Sequence, residues 1–188
     1  MRTNRLFIVS VLLLAFCVGV KAQEVDMTKH PGYINLEDIE IPESAEEVTT
    51  IDLGPALLAF AKMGCDKEGK DLEKGLKGIL SIRVKSFDIG HEDAEKIRPI
   101  MDKIEKKLER DDWLLLVRTK SRDELSNVSM KIVDGKIVGF LVMSIDSGNE
   151  VSFVNIIGGN IDLESIKNIG MGLSDSALDS LKMDLDWD

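Results

Sequence analysis

Imidazole, thiol and carboxylate groups are the side chains here that could do chemistry, and the first two are scarce. The chain has two histidines, His30 and His91, and two cysteines, Cys17 and Cys65. A zinc or other transition-metal site needs two or more such ligands converging on one ion, and these four are not spaced as ligands. Cys65 also precedes Asp66, whose negative charge disfavours a reactive thiolate. These residues therefore predict no metal site.

Carboxylates are abundant, and a pair of them could do acid–base catalysis if burial raised the pKa of one. The pairs Glu46-Glu47, Glu92-Asp93 and Asp111-Asp112 lie in polar stretches and are expected to be surface charge. Asp52 lies between the apolar residues Ile51 and Leu53, and its place shortly before Gly54-Pro55 favours a helix-capping role. The alternative is a carboxylate-dependent envelope hydrolase using Asp52 and a second acid. We expect no catalytic residue and no cofactor.

The first 22 residues have the layout of a secretory signal peptide. A basic start with Arg2 and Arg5 precedes the apolar run Leu6 to Val20, and small residues precede Gln23 at the positions required for cleavage. The apolar run has 15 residues, which is short of the roughly 20 that span a bilayer. The sequence therefore predicts export by the Sec pathway to a bacterial periplasm or cell envelope, with cleavage after Ala22.

Composition narrows the classes of partner. The chain has 188 residues, 24 basic and 34 acidic, with a net charge of −10, and cleavage would remove three basic residues and leave −13. Nucleic acids and anionic membranes are bound through Lys and Arg, so neither is an expected partner. Cleavage would also leave Cys65 as the single cysteine, which excludes an intramolecular disulfide. A protein or a small ligand is the expected partner, and the oligomeric state is left open.

Hydrophobic periodicity predicts an α+β fold: a β-α-β unit followed by an antiparallel β-meander, with helices packed on one face. After the signal peptide we expect an extended acidic arm (23–48), a single domain (49–172) and an acidic tail (173–188). The pattern predicts a kink or break at Pro99 and a hairpin turn at Asp134-Gly135. It predicts strands at 49–53, 79–87, 113–117, 128–132, 136–145 and 151–157, and helices at 55–63, 91–110 and 162–170.

Several short motifs, in this order, resemble a family of small exported bacterial proteins catalogued only as a domain of unknown function. They are Pro31-Gly32-Tyr33, Leu53-Gly54-Pro55, Ser81-Ile82-Arg83-Val84 and the meander that closes at Gly158-Gly159. The resemblance covers roughly residues 31 to 170 and supplies no catalytic residue. It implies an exported protein, and it is the sole basis for a further alternative, an accessory protein of envelope-stress signalling.

The missing catalytic clusters and the apolar strands together favour a non-enzymatic interaction module of the cell envelope, which binds its partner through the face or the edge of its sheet. The candidate contact residues are Val128, Met130 and Ile132, on a strand that we expect at the edge of the sheet, where a partner could add a strand. If so, Met130→Asp would abolish partner capture with little loss of stability. The alternative is that the helices cover these side chains as core.

Overall fold

The computed structural model describes residues 26–63, 76–90, 94–121, 124–147 and 149–162. The predicted signal peptide, the predicted helix beyond Asp162 and the predicted tail 173–188 lie outside these ranges. The described parts contain strands β1 (Glu46–Leu53), β2 (Ile79–Asp88), β3 (Trp113–Lys120), β4 (Leu125–Val133), β5 (Lys136–Ile145) and β6 (Glu150–Gly158), and helices α1 (Pro55–Met63) and α2 (Ala94–Arg110). No helix among these residues is long and apolar enough to cross a membrane.

The six strands form one antiparallel sheet in the order β1-β2-β6-β5-β4-β3. Strands β3 to β6 follow one another as neighbours, as a meander requires, while β6 closes the meander against β2. The predicted β-α-β unit is wrong, because such a unit contains parallel strands. Leu53 at the end of β1 pairs with Ile82 near the start of β2, so the chain re-enters the sheet at the end where it left.

Each face of the sheet has its own apolar core, because β5 buries both of its alternating sets of side chains, as Phe140 and Leu141 illustrate. Ile97, Met101 and Leu108 of α2 pack on the face that carries Leu141 and Phe153. Leu58 of α1 packs on the opposite face, with Phe140 and Ile156. The prediction that the helices share one face is therefore wrong.

Two local predictions concern single residues. Pro99 does not break α2, which is one helix from Ala94 to Arg110 with the proline on its exposed side. The predicted turn at Asp134-Gly135 is confirmed: both residues have positive φ angles, 52° and 69°, between β4 and β5. Positive φ at both central residues is what a type I′ hairpin turn requires.

Residues 31–41, the central part of the predicted arm, pack on the same face as α2. From here on, "the arm" means residues 31–41, and this face of the sheet is the arm face. Leu36 and Ile39 contribute to its core, with 2% and 6% of their surface exposed. Asn155 of β6, fully buried, binds the arm: its Oδ1 accepts from the Ile34 amide at 3.0 Å, and its Nδ2 donates to the Gly32 carbonyl at 3.0 Å. The same Nδ2 donates to the Phe140 carbonyl at 3.1 Å, so one amide joins the arm to the sheet.

We predict that Asn155→Ala lowers the free energy of unfolding by about 3 kcal/mol, because buried backbone groups lose their hydrogen-bond partner. Urea denaturation followed by circular dichroism measures the change. Asn160→Ala is the control, since Asn160 is exposed, and it should unfold like the natural chain. Equal midpoints for all three proteins would contradict the role given to Asn155.

Candidate functional site

Asp52 is a strand residue and not a helix cap. Gly54 stands directly before α1 and its carbonyl accepts from the Leu58 amide, whereas Asp52 lies within β1. Its Oδ2 lies 3.0 Å from Nε of Arg83 on the neighbouring strand, and 57% of the Asp52 side chain is exposed. The capping prediction is therefore wrong. The buried acid that the hydrolase alternative requires is not Asp52.

His30 has a local structural role at the start of the arm. Its Nδ1 accepts a hydrogen bond from the Gly32 amide at 3.1 Å, and burial lowers the pKa of the imidazole. His91 and Cys65 lie outside the described residues. Within the described ranges, no group of three or more His, Cys, Asp or Glu side chains could hold a metal ion.

The predicted contact residues lie on an interior strand. β4 pairs with β3 on one side and with β5 on the other, so the expectation that it forms a sheet edge is wrong. Val128 and Met130 are only 3% and 2% exposed, and Ile132 packs against the same core. The edges are β1 and β3, which carry exposed apolar side chains at Val48, Ile51, Leu114 and Leu115. The alternation of apolar and polar residues along β4 does not indicate that β3 pairs with it on the side away from β5.

The face of the sheet opposite the arm, which we call the valine face, carries a regular row of β-branched side chains. Its members are direct partners from strand to strand: Ile51, Val84, Val154, Val142, Val128 and Val117. Strands lie about 4.8 Å apart, so this valine row is about 24 Å long. All but Val128 are half-buried or exposed, and Ile51 is 42% exposed. Apolar surface of this row thus remains partly accessible on every strand except β4.

A second row, two residues along each strand, consists entirely of hydroxyl side chains. The pairing aligns Thr49, Ser86, Ser152, Ser144, Ser126 and Thr119 in strand order. The Ser144 and Ser152 hydroxyls are hydrogen-bonded at 2.8 Å. The four serines are half-buried and the two threonines at the edges are exposed. This hydroxyl row presents donors and acceptors beside the valine row.

The opposite flank of the valine row is a row of larger apolar side chains whose central members are covered by the chain itself. Phe140 and Ile156 at its centre are fully buried, and Leu58, Leu76 and Ile161 pack with them. The row contains Leu53, Ile82, Ile156, Phe140, Met130 and Leu114. On the central strands the valine face is therefore closed at this row, whereas Leu114 on the edge strand β3 is 52% exposed.

Beyond the hydroxyl row, the strands end in acidic residues. Glu46 pairs with Asp88, and Asp88 pairs with Glu150, so three carboxylates are aligned across β1, β2 and β6. Asp146 and Glu124 stand at the same end of β5 and β4, and Glu150 donates its amide to Asp146 Oδ1 at 2.9 Å. We call these five residues the acidic rim. The valine face thus changes in order from large apolar to valine, hydroxyl and carboxylate.

The sequence does contain a signal for these rows. Each of the six strands has a hydroxyl residue, a valine or isoleucine two positions away and a large apolar residue two positions further, as in Thr49-x-Ile51-x-Leu53 and Ser152-x-Val154-x-Ile156. The order reverses in alternate strands, as Phe140-x-Val142-x-Ser144 shows, because neighbouring strands run antiparallel. A test of each strand for apolar alternation alone overlooks this pattern.

Comparison with known proteins identifies a family. The profile of a family described as a domain of unknown function (DUF4252) matches residues 43–169, about two thirds of the chain. The chain belongs to this family. The resemblance expected from the sequence motifs is thus confirmed, although the DUF4252 match begins after the arm. No curated protein and no solved structure matches the chain.

Burial now changes what we expect from Met130→Asp. A carboxylate at a position that is 2% exposed would be desolvated among Phe140 and Ile156, so we predict a loss of more than about 4 kcal/mol of stability. Thermal unfolding of the two proteins measures the effect. Ser126→Asp on the same strand, in the half-buried hydroxyl row, is the control and should lose far less. A Met130→Asp protein with the natural melting temperature would contradict the assigned burial.

Proposed function

We propose that this protein is an exported, non-enzymatic binding module of the bacterial cell envelope. We further propose that its valine face binds a basic amphipathic helix of a partner protein. The observation that carries the proposal is the alignment of valine, hydroxyl and carboxylate rows across the strands of one sheet face. Such a face offers apolar contact, hydrogen bonds and negative charge in a fixed order, and that order sets the chemistry of the partner.

The dimensions of the valine row favour a helix over an extended segment as the partner. A helix rises about 1.5 Å per residue, so about 16 residues would cross all six strands. Its apolar stripe would lie on the valine row, from Ile51 to Val117, and its flank would lie over the serines. An apolar helix face laid into an apolar surface is a common mode of peptide recognition. An extended strand would pair instead with an edge, β1 or β3.

Charge determines which flank of the helix faces the acidic rim. Lys and Arg on that flank would lie near Glu46, Asp88 and Glu150, whereas acidic residues there would be repelled. The overall charge of −10 also attracts a cationic segment and speeds its association. The chain's own tail is a poorer occupant, because residues 174–188 contain five aspartates and one lysine.

We predict that a 16-residue helical peptide, with leucines along one face and lysines on the other, binds the full chain with an affinity that falls as salt is raised. Isothermal titration calorimetry gives the affinity. Amide shifts in nuclear magnetic resonance spectra should concentrate on Val84, Val142, Val154 and the neighbouring serines. A matched peptide with glutamates in place of the lysines should not bind.

Paired charge variants separate a specific site from general attraction between opposite charges. Glu46→Lys with Glu150→Lys alters the acidic rim, while Glu37→Lys with Glu43→Lys makes the same change in net charge elsewhere; all four glutamate side chains are exposed. We expect at least tenfold weaker binding for the rim variant and less than a threefold change for the control. Equal weakening in both variants, or shifts confined to the arm face, would contradict the proposed site.

Export is supported by the basic, apolar and small-residue segments that end at Ala22. We predict that the full-length gene, expressed in a bacterium with a Sec pathway, yields a periplasmic protein. Its intact mass, measured by mass spectrometry, should equal that of a chain that begins at Gln23. Ala22→Tyr should leave the precursor uncleaved, because the cleavage site requires a small residue at that position. A cytoplasmic product that retains Met1 would contradict export.

A further inference from the structure

The arm is held on the sheet by side chains that bind its main chain. Besides the two bonds with Asn155, Arg83 Nη1 donates to the Ile34 carbonyl at 3.1 Å. Lys85 Nζ donates to the carbonyls of Leu36 and Ile39, at 3.1 and 3.2 Å. These five hydrogen bonds contact only backbone groups of the arm. An extended segment of another chain could make the same bonds if its shape allowed it.

Shape restricts which segment fits. A Cβ added to Gly32 would lie 2.1 Å from the Val138 carbonyl oxygen, and one added to Gly139 would lie 2.7 Å from the Gly32 Cα. The arm and β5 therefore approach more closely at these two glycines than any residue with a Cβ would permit. Tyr33 is the next residue of the arm. The Arg83 guanidinium lies 4.9 Å from the centre of its ring, a cation–π contact. Leu36 and Ile39 then fill the core of the arm face.

The surface that receives the arm is separable from the arm itself. Arg83, Lys85, Gly139 and Asn155, which we call the arm channel, all lie inside the region matched by DUF4252, whereas residues 31–41 lie before it. The arm also precedes β1, and the described hydrogen bonds between its backbone and the sheet come from side chains. The arm could therefore leave the channel without breaking any strand pair.

We propose that the arm channel is a peptide-binding site, and that the arm of a second copy of this chain is its occupant in trans. The required pattern is glycine, an aromatic residue, and apolar residues four and seven positions after the glycine, which is the pattern of Gly32, Tyr33, Leu36 and Ile39. A second copy carries this pattern by definition. Exchange of an identical segment between copies is a recognised route to dimers. The inference is independent of the proposed role of the valine face.

A synthetic peptide of residues 26–42 tests the channel in trans. The recipient is the full chain with Gly32→Val, whose own arm no longer fits, and Gly54→Val is the matched control because a Cβ there meets nothing within 4 Å. We expect the peptide to raise the melting temperature of the Gly32→Val chain and to leave the Gly54→Val chain unchanged. The same peptide with Gly32→Val should bind at least tenfold more weakly. A Gly32→Val chain that folds and ignores the natural peptide would overturn the proposal.

Two measurements on the natural chain keep the test decisive if Gly32→Val fails to fold. A peptide carrying a photoreactive phenylalanine at position 33 should crosslink near Arg83 when present in large excess. Sedimentation equilibrium should show a dimer that forms as the protein concentration rises into the millimolar range, where exchange competes with the tethered arm. Absence of the crosslink, or a chain that stays monomeric throughout, would overturn exchange in trans.

Discussion

Both faces of this protein depend on the register of β6 between β2 and β5. Along β6, Phe153 and Asn155 point to the arm face while Val154 and Ile156 point to the valine face. A slip of one residue would exchange these sets, because side chains alternate along a strand. Asn155 would then lose the Gly32 and Ile34 backbone, and the valine row would be interrupted at its centre. One pairing register therefore sets the arm channel and the valine face together.

The arm face places polar side chains where apolar ones would be expected. Lys85 and Asn155 are 5% and 0% exposed, and burial of such groups is costly unless they are hydrogen-bonded. The arm needs partners as well, since the carbonyls of Leu36 and Ile39, in the 3-10 helix Leu36–Asp38 and at its C-cap, accept hydrogen bonds from the buried Lys85. Each side satisfies the other, so the arm and the channel are stable as a pair and unfavourable apart. This mutual need explains why a lysine and an asparagine occupy the interior of a sheet face.

Local features of the fold were accessible from sequence, and long-range features were not. The hairpin turn at Asp134-Gly135, the helix containing Met101 and the strands around Val142 and Val154 follow from turn chemistry and periodicity. Strand order does not, because nothing local states that β6 pairs with β2 across more than sixty residues. The edge assignment of Met130 failed for that reason. The burial of the arm was missed likewise, since Leu36 stands in a polar stretch and its partners are distant in sequence.

The rows of the valine face could have been predicted in part, and their chemistry restricts what can cover the face. A covering helix from the same chain would need an apolar face over Val142 and Val154 and polar groups over Ser144 and Ser152, because a buried hydroxyl without a partner is unfavourable. It would also bring its flank to the acidic rim, where acidic residues are repelled. The chain has one cationic amphipathic helix among the described residues, α2 with six basic and four acidic residues, and it packs on the arm face. The hydroxyl row and the acidic rim therefore favour a cationic amphipathic helix as the segment that covers the valines.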